Sequence, residues 1–335
     1  MSTTAGLGGL NSLYVAIETD YGTYEDPSGA TGVWVPILDE NLKYTETKYY
    51  SPQIREQTIA SDVKQSFYHV EGDIHMEVDA HYLPYFLYAS RHTVVKTGTG
   101  PYEYKAVPSN FGSAYPGGAA KGLSITIDRN GNGFGYAGCV VGQWAFTINN
   151  GILEVTMSMV GLSEQLPADL GTTAWIDPSL FGADATSIYT DASGTAPAFA
   201  TRDNNFDGFT ATFNYNAEAM NRIRPDRQAT FIKFGETDAT VDTTLDFLDR
   251  TDYDHMVASD TQALRMESNK PGGAGTYAAA TEAIRIDFNR LSFDTYEVDT
   301  PAMGDLVAAR FTGKGIGIAG GDAFSITCKS SVSIV

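Results

Sequence analysis

The sequence predicts an all-β protein: sandwich- or barrel-forming sheets, with one short helix in each of two domains. Three observations carry this expectation. The first is a segment that alternates, turns and alternates again. Trp144, Phe146 and Ile148 interleave with Ala145, Thr147 and Asn149, and Leu153, Val155, Met157 and Met159 interleave with Glu154, Thr156 and Ser158. Between them, Asn150-Gly151 suits a two-residue type I′ turn, which needs positive φ at both central positions. That turn pairs Asn149 with Ile152 and sets Ile148 against Leu153, Phe146 against Val155, and Trp144 against Met157. Thr147 then faces Glu154, Ala145 faces Thr156, and Gln143 faces Ser158 on the other side. A slip of one residue would send every apolar side chain to water, so pattern and turn specify one register. The second observation is 34 Gly beside only 19% charged residues, the turn-rich texture of a β protein. The third is that the same alternation recurs along the chain.

Taken in order, residues 1–12 read as a flexible Gly/Ser/Thr arm. Leu13 to Ile17 is a short strand. Pro36 within Trp34 to Leu38 suits an edge strand, and Leu42 and Tyr44 open another. Thr47 to Val70 is polar and aromatic-studded without a clean period, and is expected to be a long loop that meets a partner surface or simply varies. Tyr49, Tyr50, Arg55, Lys64, Phe67 and Tyr68 are its contact candidates. From Asp73 to Ala80, Ile74, Met76, Val78 and Ala80 point inward while Asp73, His75, Glu77 and Asp79 form an acidic outer face. Leu83, Phe86 and Leu87, with Pro84 near the start, predict a short helix within His81 to Arg91. Pro101 to Pro108 and Leu123 to Ile127 are further strands.

Residues 163–198 hold Pro167, Pro178 and Pro197 among small polar residues, so the interdomain connection is placed there. The first domain then spans 1–165, the linker 166–198 and the second domain 199–335. The second part repeats the first in order and spacing. Phe209, Ala211, Phe213 and Tyr215 alternate as the strand around Tyr44 does, and an Arg-bearing segment with Arg222, Arg224 and Arg227 follows. Thr237 to Thr244 leads to Leu245, Leu248 and Tyr253 at helical spacing. Ile284, Ile286 and Phe288 match Leu123 to Ile127, and Leu306 to Phe311 with Phe324, Ile326 and Cys328 complete the sheet. Internal duplication is the expectation.

A chain of 335 residues with 42% apolar and 12% aromatic content can bury two cores. The net charge of −19 argues against a protein that grips nucleic acid by its phosphates, and is compatible with a surface past which DNA slides without sticking. Cys139 and Cys328 are distant and strand-like, and read as buried free thiols. The start lacks a signal-peptide pattern, and no apolar run is long enough to span a membrane as a helix.

Candidate chemistry is sparse. His69, His75 and His81 share parity, but six-residue steps place them about 20 Å apart in an extended strand, too far to share an ion. They are expected to be solvated or to face a partner. Asp128, Asn130 and Asn132, and again Asp203, Asn205 and Asp207, imitate the start of a calcium loop. Its bidentate Glu is replaced by Cys139 and Asn214, so both read as Asp/Asn/Gly turns and at most weak metal candidates. Gly315, Gly317 and Gly320 match a dinucleotide fingerprint by letter, with no βαβ unit after them, and read as a hairpin tip. Asp246, Asp249, Asp252 and Asp254 read as a solvated acidic face. No local motif pairs a nucleophile with a base, so no catalytic residue, cofactor or enzyme activity is expected.

The order of several motifs then resembles a known family. Glu18, Thr19, Tyr21, Gly22 and Thr23 are followed by Trp34, Pro36, Ile37 and Glu40, an Arg-containing loop, and Glu71, Gly72, Asp73 and Ile74. Later come Pro108, Ser109 and Asn110, Leu123 to Ile127, Tyr136 to Cys139, and Gly151 through Gly161. Over residues 14–163 this resembles the major tail tube proteins of long-tailed (siphovirus-like) bacteriophages; from 200 onward the likeness rests on strand order. The resemblance implies a twisted β-sandwich with a flanking helix, whose sheets join between subunits into a barrel around a lumen. It also implies a structural virion protein, assembled in the host cytoplasm, whose two-domain form makes trimeric, pseudo-sixfold rings, with a hexamer as the alternative. The rings stack through a loop that maps to Thr47–Val70. Tape-measure and tail-completion proteins would be partners, and DNA would pass without specific binding. The alternatives are another virion β-protein (baseplate, tail terminator or decoration) or a β-sandwich glycan-binding module or adhesin.

Overall fold

Asn150 and Gly151 both sit at positive φ, 49° and 81°, in the turn expected of them. The computed structural model describes residues 12–29, 32–51, 59, 62–108, 121–166, 168, 170–200, 202–203, 205–223, 225–247, 250–270, 277–299, 307–318 and 321–334. In chain order these give β1 (Ser12–Ile17), β2 (Val33–Val35), β3 (Asp39–Glu40), β4 (Lys43–Tyr50), β5 (Val63–Glu77), helix α1 (Leu83–Tyr88), β6 (His92–Thr97), β7 (Tyr102–Pro108), β8 (Leu123–Asp128), β9 (Gly133–Asn149), β10 (Ile152–Gly161) and β11 (Ser163–Gln165). After a 3-10 turn at Ala183–Ala185 follow β12 (Thr186–Ala192), β13 (Arg202–Asp203), β14 (Phe206–Asn214), β15 (Glu218–Met220), β16 (Phe231–Lys233), β17 (Asp238–Asp246), helix α2 (Thr251–Val257), β18 (Thr261–Asn269), β19 (Ala283–Val298), β20 (Ala308–Gly315) and β21 (Phe324–Ser330). The class is all-β, as the sequence predicts.

The β9–β10 hairpin has the expected register from Asn149↔Ile152 to Gln143↔Ser158. The register then shifts, with Met159 opposite Val141, so Gly142 forms a bulge. The extra residue on β9 brings Val141 opposite Met159 on the core side, while β10 keeps its own alternation. Further back, Gly138 takes φ 65°, and β9 passes from one sheet to another. Its first part pairs with β8 and β11, and its last part with β10 and β14. Trp144, Phe146, Val155 and Met157 are fully buried, which covers the apolar face of the ribbon.

Among the described residues every pairing of two strands is antiparallel, and one order of neighbours occurs twice. The run β4–β5–β10–β9 continues directly into β14–β17–β20–β19. Behind it, β2–β1–β8 leads to the first part of β9, and β13–β12–β18 leads to the first part of β19. A further pairing, β21 with β7, ties the two parts together again. Between the layers lies one continuous core. Phe146 and Phe213 meet edge-on with centroids 6.4 Å apart, and Phe213 stacks on Phe288 at 5.4 Å and packs on Phe324 at 4.7 Å.

Several expectations need correction. In its described part, Thr47 to Val70 is not a loop: β4 runs on to Tyr50, opposite Val63 of β5. Both faces of that ribbon are largely exposed, so no apolar alternation is imposed on its sequence. Leu245 belongs to strand β17, buried opposite Ala309, and not to the following helix, because the strand alternation runs on through Asp246. The strand holding Ile284 to Phe288 takes the neighbours of β9 rather than those of Leu123 to Ile127. Residues 186–192, inside the expected linker, form β12 on β18. Residues 1–11, Arg55, Arg224, Leu248, Asp249 and Gly320 lie outside the described residues. Both cysteines are free and buried.

Phe213 touches aromatic rings from both parts of the chain, so its truncation tests how firmly they are joined. Phe213→Ala is expected to lower the unfolding free energy by about 3–5 kcal/mol, read from urea transitions of the unassembled subunit. A loss below about 1 kcal/mol would mean that the cluster does not hold the two parts together.

Candidate assembly interface

Within the eight-strand run, β10, β14, β17 and β20 alternate between a core face and a polar face, and the inner parts of β5 and β9 follow them. The polar face carries Asp73, His75 and Glu77 on β5, Glu154, Thr156 and Ser158 on β10, and Ala145 and Thr147 on β9. It continues through Thr210 and Thr212 on β14, Asp238, Thr240 and Asp242 on β17, and Arg310, Thr312 and Lys314 on β20. Where β9 meets β14, the Thr147 and Thr210 hydroxyls lie 3.3 Å apart. Ser158 Oγ donates to Asp73 Oδ1 at 2.6 Å, and His75 sits between Asp39 at 3.0 Å and Glu154 at 3.1 Å. Both cations of β20 are held by β17 carboxylates: Arg310 Nε donates to Asp242 Oδ1 at 3.0 Å, and Lys314 Nζ lies 2.7 Å from Asp238 Oδ1. The face is therefore hydroxylated and net acidic, and Arg310 and Lys314, though exposed, are each paired sideways with a carboxylate.

The β4–β5 ribbon extends from this sheet. Tyr49, Tyr50 and Lys64 are exposed on it, whereas Phe67 and Tyr68 are half-buried. Tyr68 packs on Tyr44 with centroids 4.8 Å apart, and its backbone bonds to Arg227 and Ala229 from the second part of the chain. The Arg227 side chain donates to Glu46, to Gln65 Oε1 at 2.6 Å and to the Ser66 carbonyl at 2.8 Å. The candidates thus divide: Tyr49, Tyr50 and Lys64 remain outward, and Tyr68 belongs to an intrachain clasp. Arg227 is the residue that sequence reasoning could not assign, since its partners lie more than 150 positions away.

The weak metal candidates are occupied in turns. Asp128 Oδ1 accepts from Gly131 N at 2.6 Å, Asn130 adopts φ 58°, and Asn132 Nδ2 donates to the Arg129 and Asn130 carbonyls. Asp203 Oδ1 accepts from Asn205 N at 3.0 Å, and Asp207 is exposed on β14. Among the described residues no group of His, Cys, Asp and Glu has the geometry of an ion site.

His69 and His75 are partly exposed, but His81 is buried, contrary to the expectation of a solvated or partner-facing ring. The chain leaves the strand after Glu77, so parity no longer governs residue 81. His81 Nε2 lies 3.2 Å from Glu282 Oε1 and 3.1 Å from Ser331 Oγ, and Nδ1 is 3.3 Å from Asp79 Oδ1. Glu282 also accepts from Ser179 Oγ and Lys270 Nζ, each at 2.6 Å. The cluster ties β5, the connecting segment and the last strands into one polar knot. Hydrogen bonding to Asp79 leads the effects that raise the His81 pKa, against the opposing effect of burial. A His pKa raised in the folded state adds stability that is complete below about pH 6.5 and is lost as pH rises through the folded value. The subunit is therefore expected to lose urea resistance as pH rises from about 6.5, and His81→Asn should flatten that slope. An unchanged slope would remove His81 from this role.

A family model described as phage tail tube protein matches residues 8–323. No curated protein matches the sequence. Nearly the whole chain is covered, and with its all-β architecture this chain belongs to the phage tail tube protein family, whose members are structural proteins of the virion.

Proposed function

We propose that this chain is the repeating subunit of the tail tube of a long-tailed phage or phage-derived particle. It acts as two tube units in tandem, the first within residues 1–165 and the second in the C-terminal part. Three chains then make a pseudo-sixfold ring, and stacked rings make the tube. The observation that carries this reading is the repeated strand order, β4–β5–β10–β9 followed without a break by β14–β17–β20–β19. A sheet that adds a second unit to the first by edge pairing can add a third in the same way, and rotation closes such a heterologous series into a ring. Tyr49, Tyr50 and Lys64, on the outward ribbon, are the proposed contacts to a neighbouring ring or subunit.

In this reading the polar face lines the bore. Phosphates would meet threonines, carboxylates and laterally paired cations, and a total charge of −19 disfavours persistent contact. DNA would pass through, and tape-measure and tail-completion proteins would be handled during assembly. The role is structural rather than catalytic.

Electron microscopy of the concentrated protein is expected to show rings or hollow filaments; particles that stay single at every concentration would count against the proposal. The lining is tested separately. Tubes carrying Thr147→Lys and Thr210→Lys are expected to retain DNA at low salt and release it steeply as salt rises, while wild-type tubes retain none. Equal behaviour of the two would show that this face does not meet the DNA.

A further inference from the structure

We infer that the joint between copies is made by β19 of one chain and β4 of the next, in the register of the internal β9–β14 joint. The inference rests on the tube reading and adds to it a pairing between named residues. Among the described residues β4 pairs only with β5, and beyond Ser292 β19 pairs only with β20.

The register follows from two bulges. In β9–β10 the extra residue is Gly142, and in β19–β20 it is Asp294. Superposing them sets Gln143 on Thr295 and Ser158 on Thr312; through the next strands Asp73 then falls on Asp242, and Lys43 on Thr212. The same offset carries Leu83, which opens α1, to residue 252, inside α2. Inside the chain, Ala145 faces Thr212, Trp144 faces Phe213 and Gln143 faces Asn214. Between chains, Glu297 would therefore face Lys43, Tyr296 would face Tyr44, and Thr295 would face Thr45.

Three independent features agree with this register. The hydrogen-bonding phase matches: Tyr68 bonds away from β4, so its partner Glu46, and with it Tyr44, directs its backbone outward. Asp299 N donates to Ala308 O, which turns Glu297 toward β20 and the Tyr296 backbone outward. The faces match as well, because Tyr44 packs on Tyr68 and Tyr296 stacks on Phe311, both on the core side. Charge also matches. Lys43 is paired with Glu71, and Glu297 with Arg310, so the joined row would read Glu71, Lys43, Glu297, Arg310 with alternating sign. The corresponding internal pair, Ala145 and Thr212, is neutral. A one-residue slip would put the two tyrosines on opposite faces of the joined sheet, and a two-residue slip would separate Lys43 from Glu297.

The test uses the full-length chain. Lys43→Glu or Glu297→Lys alone is expected to raise the concentration needed for ring formation at least about tenfold, since like charges then face each other, and the double reversal should restore it. Thr45→Cys with Thr295→Cys should give ladders of disulfide-linked chains under oxidation, because a non-hydrogen-bonded antiparallel pair brings side chains close. Wild-type rings together with single reversals that assemble normally and cysteines that stay unlinked would overturn this register and leave the tube reading intact. A wild-type chain that forms no rings would count against the reading itself.

Discussion

The fold depends on β9 being hydrogen-bonded along both edges. On one side the Asn150-Gly151 turn locks it to β10, and on the other it accepts β14 through five consecutive pairs. That second edge converts two similar arrangements of strands into one sheet. It also places Phe146 beside Phe213, so a single apolar core runs from Leu13 to Cys328. Were the edge exposed instead, a flat strand carrying Trp144 and Phe146 would invite unspecific pairing. Edge satisfaction and core continuity are therefore one constraint.

The alternation that builds the core also builds the opposite face. Each residue pair that sends Phe146 and Ala211 inward sends Thr147 and Thr210 outward. Across eight strands this gives a surface of hydroxyls and carboxylates whose Arg310 and Lys314 are already bound to Asp242 and Asp238. Pairing of this kind costs little at an exposed site and contributes little stability. Its consequence is electrostatic: cations held sideways offer less to a passing phosphate. The proposed conduit role follows from this face, whereas the fold itself would survive its replacement by other polar residues.

Much of the fold was legible in the sequence, for identifiable reasons. The hairpin from Trp144 to Met159 has strict alternation and a turn that permits one register, so its pairs could be written down in advance. The inward aim of Ile74 and Met76 was legible from the same alternation, but β5 ends at Glu77 and Asp79, expected on the outer face, is buried. The short helix at Leu83 was legible from its spacing and Pro84, and the buried thiols from their apolar setting. The ribbon from Tyr50 to Val63 was not, because a strand pair exposed on both faces leaves no periodic signature. Leu245 ends a strand, yet its spacing to residues beyond that strand imitates a helical period. The burial of His81 and the clasp of Arg227 depend on partners from distant segments, such as Glu282 and Ser66, that only tertiary structure brings together. The polar face was legible in kind, as an acidic outer face, but its continuation from β9 into β14 was not.

A side-chain-resolution reconstruction of the assembled tube tests the central claim most directly. The account predicts one unbroken antiparallel sheet around the bore, with Thr147, Thr210 and Asp242 facing inward and the joints within and between chains superimposable. A tube whose bore is lined by the opposite face, or whose chains meet without strand pairing, would contradict it.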